Sequence, residues 1–99
     1  MARFCVHRLK YDGALAIDVQ AEILSDLDTR TMIPLLSQDD IASTFPRLNP
    51  TFEIEGSRLV MATQFIAVVP TREIGATVAD LRKRSDEITA ALDFLFQGF

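Results

Sequence analysis

Phe4-Cys5-Val6-His7-Arg8-Leu9, then Asp12-Gly13, then Ala14-Leu15-Ala16-Ile17-Asp18-Val19-Gln20 is the stretch that sets the fold class of this chain. Phe4 and Val6 share one side of an alternating run, and Leu15, Ile17 and Val19 share one side of the next, the pattern of half-buried strands. Asp-Gly between two such runs is a hairpin signal, because both residues tolerate the positive φ of a tight turn. A period of two rather than 3.6 therefore opens the chain as antiparallel sheet.

Outward from this hairpin the strand signals continue. A polar segment at 25–31 leads into Met32-Ile33-Pro34-Leu35-Leu36, apolar enough to be buried on both faces. Pro34 has no amide to donate, so it is expected at an edge or a bulge. Residues 37–50 read as a loop with a helical turn at Gln38-Asp39-Asp40-Ile41 capped by Ser37. A second hairpin follows, 51–54 and 58–63 joined by Glu55-Gly56-Ser57. Residues 65–69 form a further strand ending at Pro70, and Arg72-Glu73-Ile74 a last one stopped by Gly75. From about Lys83 the period becomes 3.6, with Ile88, Leu92, Leu95 and Phe99 on one stripe and Ala91 beside them. Ser85 with Asp86 and Glu87 behind it suits a helix start, and Gly98 a left-handed cap.

The chain has 99 residues, 48% hydrophobic and 24% charged, which fits one small domain over residues 1–99 and excludes disorder. A core of this size is thin, so an oligomer is expected. Ten Lys and Arg against fourteen Asp and Glu give a net charge of −4, against nonspecific binding of nucleic acid. The one cysteine, Cys5, has no disulfide partner and reads as a small buried hydrophobe in a reducing compartment. Neither a membrane span nor a signal peptide is apparent, which makes the cytoplasm the expected location.

Little in the residues suggests catalysis. Cys5 and His7 lie two apart on one strand and share a face, but a nucleophile and base also need an orienting group and a pocket. One His and one Cys do not make a zinc site, so neither metal nor cofactor is expected. Asp39-Asp40 and Asp86-Glu87 diverge in direction and serve as solvated caps rather than acid and base. Arg82-Lys83-Arg84 reads as a solvated stretch ahead of the helix. The unusual segment is Leu92-Asp93-Phe94-Leu95-Phe96-Gln97-Gly98-Phe99, whose apolar groups cover more of the helix than one stripe needs. It fits either a helix packed in its own core, with Phe99 closing the cap against Phe94, or a dimer seam with an exposed terminal aromatic.

In the order and spacing of Phe4-x-Val6, Asp18-Val19-Gln20, Ile33-Pro34-Leu35, Pro50, Ile54, Thr63, Ala67, Pro70, Ile74-Gly75, Val78-Ala79-Asp80-Leu81, Arg84, Ile88 and Phe96-x-Gly98, the chain resembles the CcdB family of bacterial toxins. That family shares a superfamily with the MazF and Kid endoribonuclease toxins. The resemblance implies an SH3-like barrel with a small additional sheet and a C-terminal α-helix, forming a homodimer. It implies a nonenzymatic poison that binds the DNA gyrase A subunit and traps the cleavage complex. A cognate CcdA-like antitoxin would neutralise it, and the pair would repress its own operon. Carried over by position, the gyrase contacts are Gln97, Gly98, Phe99, Phe96, Asp93, Ile23 and Leu24, and the dimer interface involves Leu95, Phe96 and Phe94. Gln97 stands where the family has tryptophan, and the chain has no Trp. Two other functions follow from the same resemblance. One is an attenuated homologue that binds antitoxin without poisoning gyrase; the other is a ribonuclease using Arg30, which is expected here as a loop arginine.

Overall fold

In a computed structural model, which describes residues 2–99, the alternating runs form antiparallel strands. They are β1 (Cys5–Leu9), β2 (Leu15–Asp18), β3 (Thr29–Leu36), β4 (Thr51–Ile54), β5 (Ser57–Met61), β6 (Ala67–Pro70) and β7 (Ile74–Asp80), followed by helix α1 (Ser85–Gln97). The strand order is β4-β5-β3-β2-β1-β7, with β6 also on β3, in a curled half-barrel sheet. This is the mainly β architecture that the sequence predicts. In the first hairpin Val6 faces Ile17. Phe4, Val6, Ile17, Val19, Ile33, Leu35, Phe52, Ile54 and Met61 meet Ile88 and Ala91 of α1 in the main core. The second hairpin turns on Glu55 and Gly56 alone, both at positive φ, so Ser57 already pairs with Ile54.

Several expectations change. Pro34 lies neither at an edge nor in a bulge but in the central strand, opposite Ala16 of β2. Its carbonyl accepts the Ala62 N–H at 2.9 Å, so its nitrogen also faces that side of β3. There β6 pairs only Thr29 to Met32 and β5 only Leu35 and Leu36. The missing donor thus falls in the gap between two partners, where no ladder bond is lost. The strand expected at 65–69 starts later, because residues 63–65 form a 3-10 turn.

The segment 71–73 is likewise a 3-10 turn, and Gly75 does not stop a strand but stands second in β7. A Cβ at Gly75 would lie 2.6 Å from the Arg8 carbonyl oxygen, so glycine permits the close crossing of β1 and β7 at a register shift. Ser37 is the N-cap residue of the turn at Gln38–Asp40, as expected, but its hydroxyl donates to the Asp40 carboxylate instead of accepting a backbone N–H. Ser85 is the first residue of α1 rather than its cap, which is Arg84.

Candidate functional site

Helix α1 is seated by Ile88 and Ala91, both fully buried, and by half-buried Leu92. Phe94 turns away to the 45–47 loop, where its ring lies 6.5 Å from that of Phe45 and the Arg47 guanidinium sits 4.9 Å above it. Two residues on, about 200° round the helix, Phe96 faces solvent and is 70% exposed. The three residues assigned to a dimer seam therefore divide. Phe94 is occupied within its own chain, Phe96 is on the opposite side, and Leu95 is half-buried between them. Gly98 takes the left-handed conformation expected, φ 81°, and donates its N–H to the Phe94 carbonyl at 3.0 Å. The helix ends there and Phe99 is left 70% exposed rather than packed onto the cap. Asp93, Gln97 and Gly98 are exposed beside it.

The other carried-over pair occupies the loop 21–28, every residue of which is exposed. Ile23 is 90% exposed, and Leu24 and Leu27 stand half out of the surface. A 3-10 turn, Glu22–Leu24, shapes the loop. The Glu22 carboxylate accepts the Arg3 N–H, and the carbonyl of adjacent Phe4 accepts the N–H of Leu81 just ahead of α1, so the loop lies toward the start of α1. Gln97 to Phe99 lie at the far end of a thirteen-residue helix, about 20 Å along its axis. Within one chain the two sets of candidate contacts are held apart by different elements.

Arg30 is not a loop arginine. It is the second residue of β3, 1% exposed, with Nε and a terminal nitrogen donating to Asp18 Oδ2 at 2.9 and 2.6 Å. Asp18 has no exposed surface, and its other oxygen accepts the Gln20 N–H at 3.0 Å. Sequence reasoning missed this buried polar cluster. The available signal was that Ala16 and Met32, on the same face as Asp18 and Arg30, are apolar, which makes that face interior as well.

Cys5 is buried as expected, and burial raises its thiol above the ordinary value. His7 is buried too, with Nδ1 3.2 Å from the Gly75 carbonyl oxygen and Nε2 unpaired among the described residues. Among the described residues no three His, Cys, Asp or Glu converge to hold a metal. In the basic cluster Arg82 pairs with Asp80, whose carboxyl is held down at about 2 by that bond. Arg84 pairs with Glu87, lies 4.2 Å from the Phe52 ring centre and donates to the Thr51 carbonyl, clamping the helix start to β4. No helix among the described residues is long and apolar enough to cross a membrane.

The fold is similar to that of a solved structure, Mycobacterium tuberculosis toxin MazF-mt6, with a TM-score of 0.78, 12% identity, and coverage of 93% of this chain and 95% of that one. At that identity the likeness is one of fold. The sequence itself matches the family model described as CcdB protein over residues 3–98, almost end to end. With that match, the chain belongs to the CcdB family, toxins of toxin–antitoxin systems.

Proposed function

We propose that this chain poisons DNA gyrase, binding the A subunit and trapping the cleavage complex, without catalysis of its own. The observation that carries the reading is the end of α1. A helix anchored in the core presents Phe96, and a glycine cap in its left-handed conformation directs Phe99 into solvent. Rigid, exposed aromatics are efficient interface anchors, because little side-chain freedom is lost on binding. A homodimer would bring a second copy of each candidate surface, which one chain keeps at opposite ends of the helix.

Gln97 sets the strength of the interaction. An indole stacked on an arginine contributes about 0.5 to 2 kcal/mol by cation–π attraction, so glutamine lowers affinity for a gyrase that expects tryptophan by roughly two- to thirtyfold. A gyrase adapted to hydrogen bonding from Gln97 escapes that loss. A cognate CcdA-like antitoxin neutralises the toxin in the cytoplasm, and the pair represses its own transcription. The same glutamine favours a second reading, a homologue that binds antitoxin and no longer kills. The ribonuclease reading has less support, since Arg30 is enclosed and neutralised by Asp18.

The test is incubation of the purified protein with its host's gyrase, supercoiled plasmid and ATP, followed by denaturation and protease. Linear DNA that vanishes on deletion of Gly98 and Phe99 supports poisoning. Absence of linear DNA with active gyrase, and intact RNA in a parallel incubation, leaves the attenuated homologue. Cleaved RNA favours the nuclease.

A further inference from the structure

The Asp18-Val19-Gln20 motif has a role that packing alone does not explain. Gln20 is buried two residues past the end of β2, and its side-chain amide reaches the middle of the exposed loop and the first residue beyond it. Nε2 donates to the Leu24 carbonyl at 3.1 Å and to the Thr29 carbonyl at 3.2 Å. Oε1 accepts the Thr31 N–H at 3.0 Å and lies 3.5 Å from the Thr31 hydroxyl. Both amide protons and the amide oxygen are thus used, the full capacity of the group. Behind it, Asp18 fixes the Gln20 N–H while Arg30 fixes Asp18.

The loop itself supplies no buried side chain to anchor it. Its internal bonds are short turns: Leu24 N–H to Ala21, Ser25 N–H to Glu22 and Leu27 N–H to Leu24 carbonyls, and its far end is tied where Thr71 donates to the Asp28 carbonyl. Such turns fray in water unless something holds the ends together. We propose that Gln20 is a positioning residue for recognition, fixing the Ile23 and Leu24 side chains in the geometry a partner reads. This rests on the assignment of Ile23 and Leu24 as gyrase contacts. The ordering of the loop by Gln20 is independent of that assignment.

Gln20→Met keeps the length of the side chain and removes all four contacts. Two readouts on the full-length chain separate the claims. In amide exchange, Leu24, Ser25 and Leu27 exchange about tenfold faster or more in the variant, while Ile17 and Ile33 in the sheet are unchanged. In binding to the gyrase A subunit, Gln20→Met weakens affinity about tenfold, and adds nothing once Ile23 and Leu24 are both alanine. A residue acting only through global stability would show the same loss in both backgrounds, which overturns the proposal. Unchanged exchange in the loop overturns it as well. Should Gln20→Met not fold, Gln20→Glu serves instead; it keeps an acceptor for Thr31 but sets an oxygen against the Leu24 and Thr29 carbonyls, and the same two results are expected. If the wild type itself does not bind gyrase, the gyrase assignment fails, and the exchange readout still decides whether Gln20 orders the loop.

Discussion

The loop 21–28 and the end of α1 both hold apolar side chains out to solvent, and they are supported by opposite means. Phe96 and Phe99 are carried by a helix whose Ile88 and Ala91 are sunk in the apolar core. Ile23 and Leu24 are carried by a segment with no buried residue, tied down only by polar bonds: the Gln20 amide backed by a buried ion pair, Arg3 to Glu22, and Thr71 to Asp28. Apolar anchorage is nondirectional and tolerant of small changes, whereas a polar network holds only while every member is present. The two surfaces should therefore fail differently under mutation.

The largest expected effect is on the polar support. Arg30→Met leaves the Asp18 carboxylate buried without its partner, and the loss in unfolding free energy, measured with urea, is about 3 to 5 kcal/mol. Replacing Asp18 and Arg30 together by apolar residues should restore most of it, because no charge is then stranded. Next comes the apolar support. Ile88→Ala opens a cavity beneath the helix and costs about 2 to 4 kcal/mol in the same measurement. A smaller change is expected at the cap. Gly98→Ala forces a Cβ into the left-handed region and lowers stability by about 1 kcal/mol, read as a fall in melting temperature, while redirecting Phe99.

The smallest effect concerns pH. Asp80 is held at about 2, below its ordinary 3.8, by its bond to Arg82. A depressed carboxyl contributes stability above its ordinary pKa and loses it as pH falls through the lowered value. Wild type should thus melt slightly above Asp80→Asn at pH 6, and the gap should close between about pH 4 and pH 2. Both partners are exposed, so the gap is small and salt narrows it.

The same contrast explains what the sequence reveals. Both hairpins and the helix are legible because their signals are local: Asp-Gly and Glu-Gly turns, alternation, a 3.6 period and a terminal glycine. Strand β7 is not, since Gly75-Ala76-Thr77-Val78-Ala79 is too small and mixed to alternate clearly. Its extended state comes from pairing with β1, about seventy positions away in sequence. Pro34 misleads for a related reason, because the gap that tolerates it is made by two strands that come later in the sequence. At the candidate site, the exposed terminus and its cap can be read from Phe96-Gln97-Gly98-Phe99. The burial of Arg30 against Asp18 shows only indirectly, through apolar Ala16 and Met32 on the same face, and the fourfold use of Gln20 does not show at all, since it depends on how the loop folds back over it.

The most direct measurement is calorimetric titration of the chain into the purified A subunit of its host's gyrase, repeated with Ile23→Asp and with Gly98 and Phe99 deleted. Binding by the wild type, and a loss of about tenfold or more in each variant with circular dichroism unchanged, is the expected result. Wild-type affinity retained by either variant would contradict a recognition surface built from both regions.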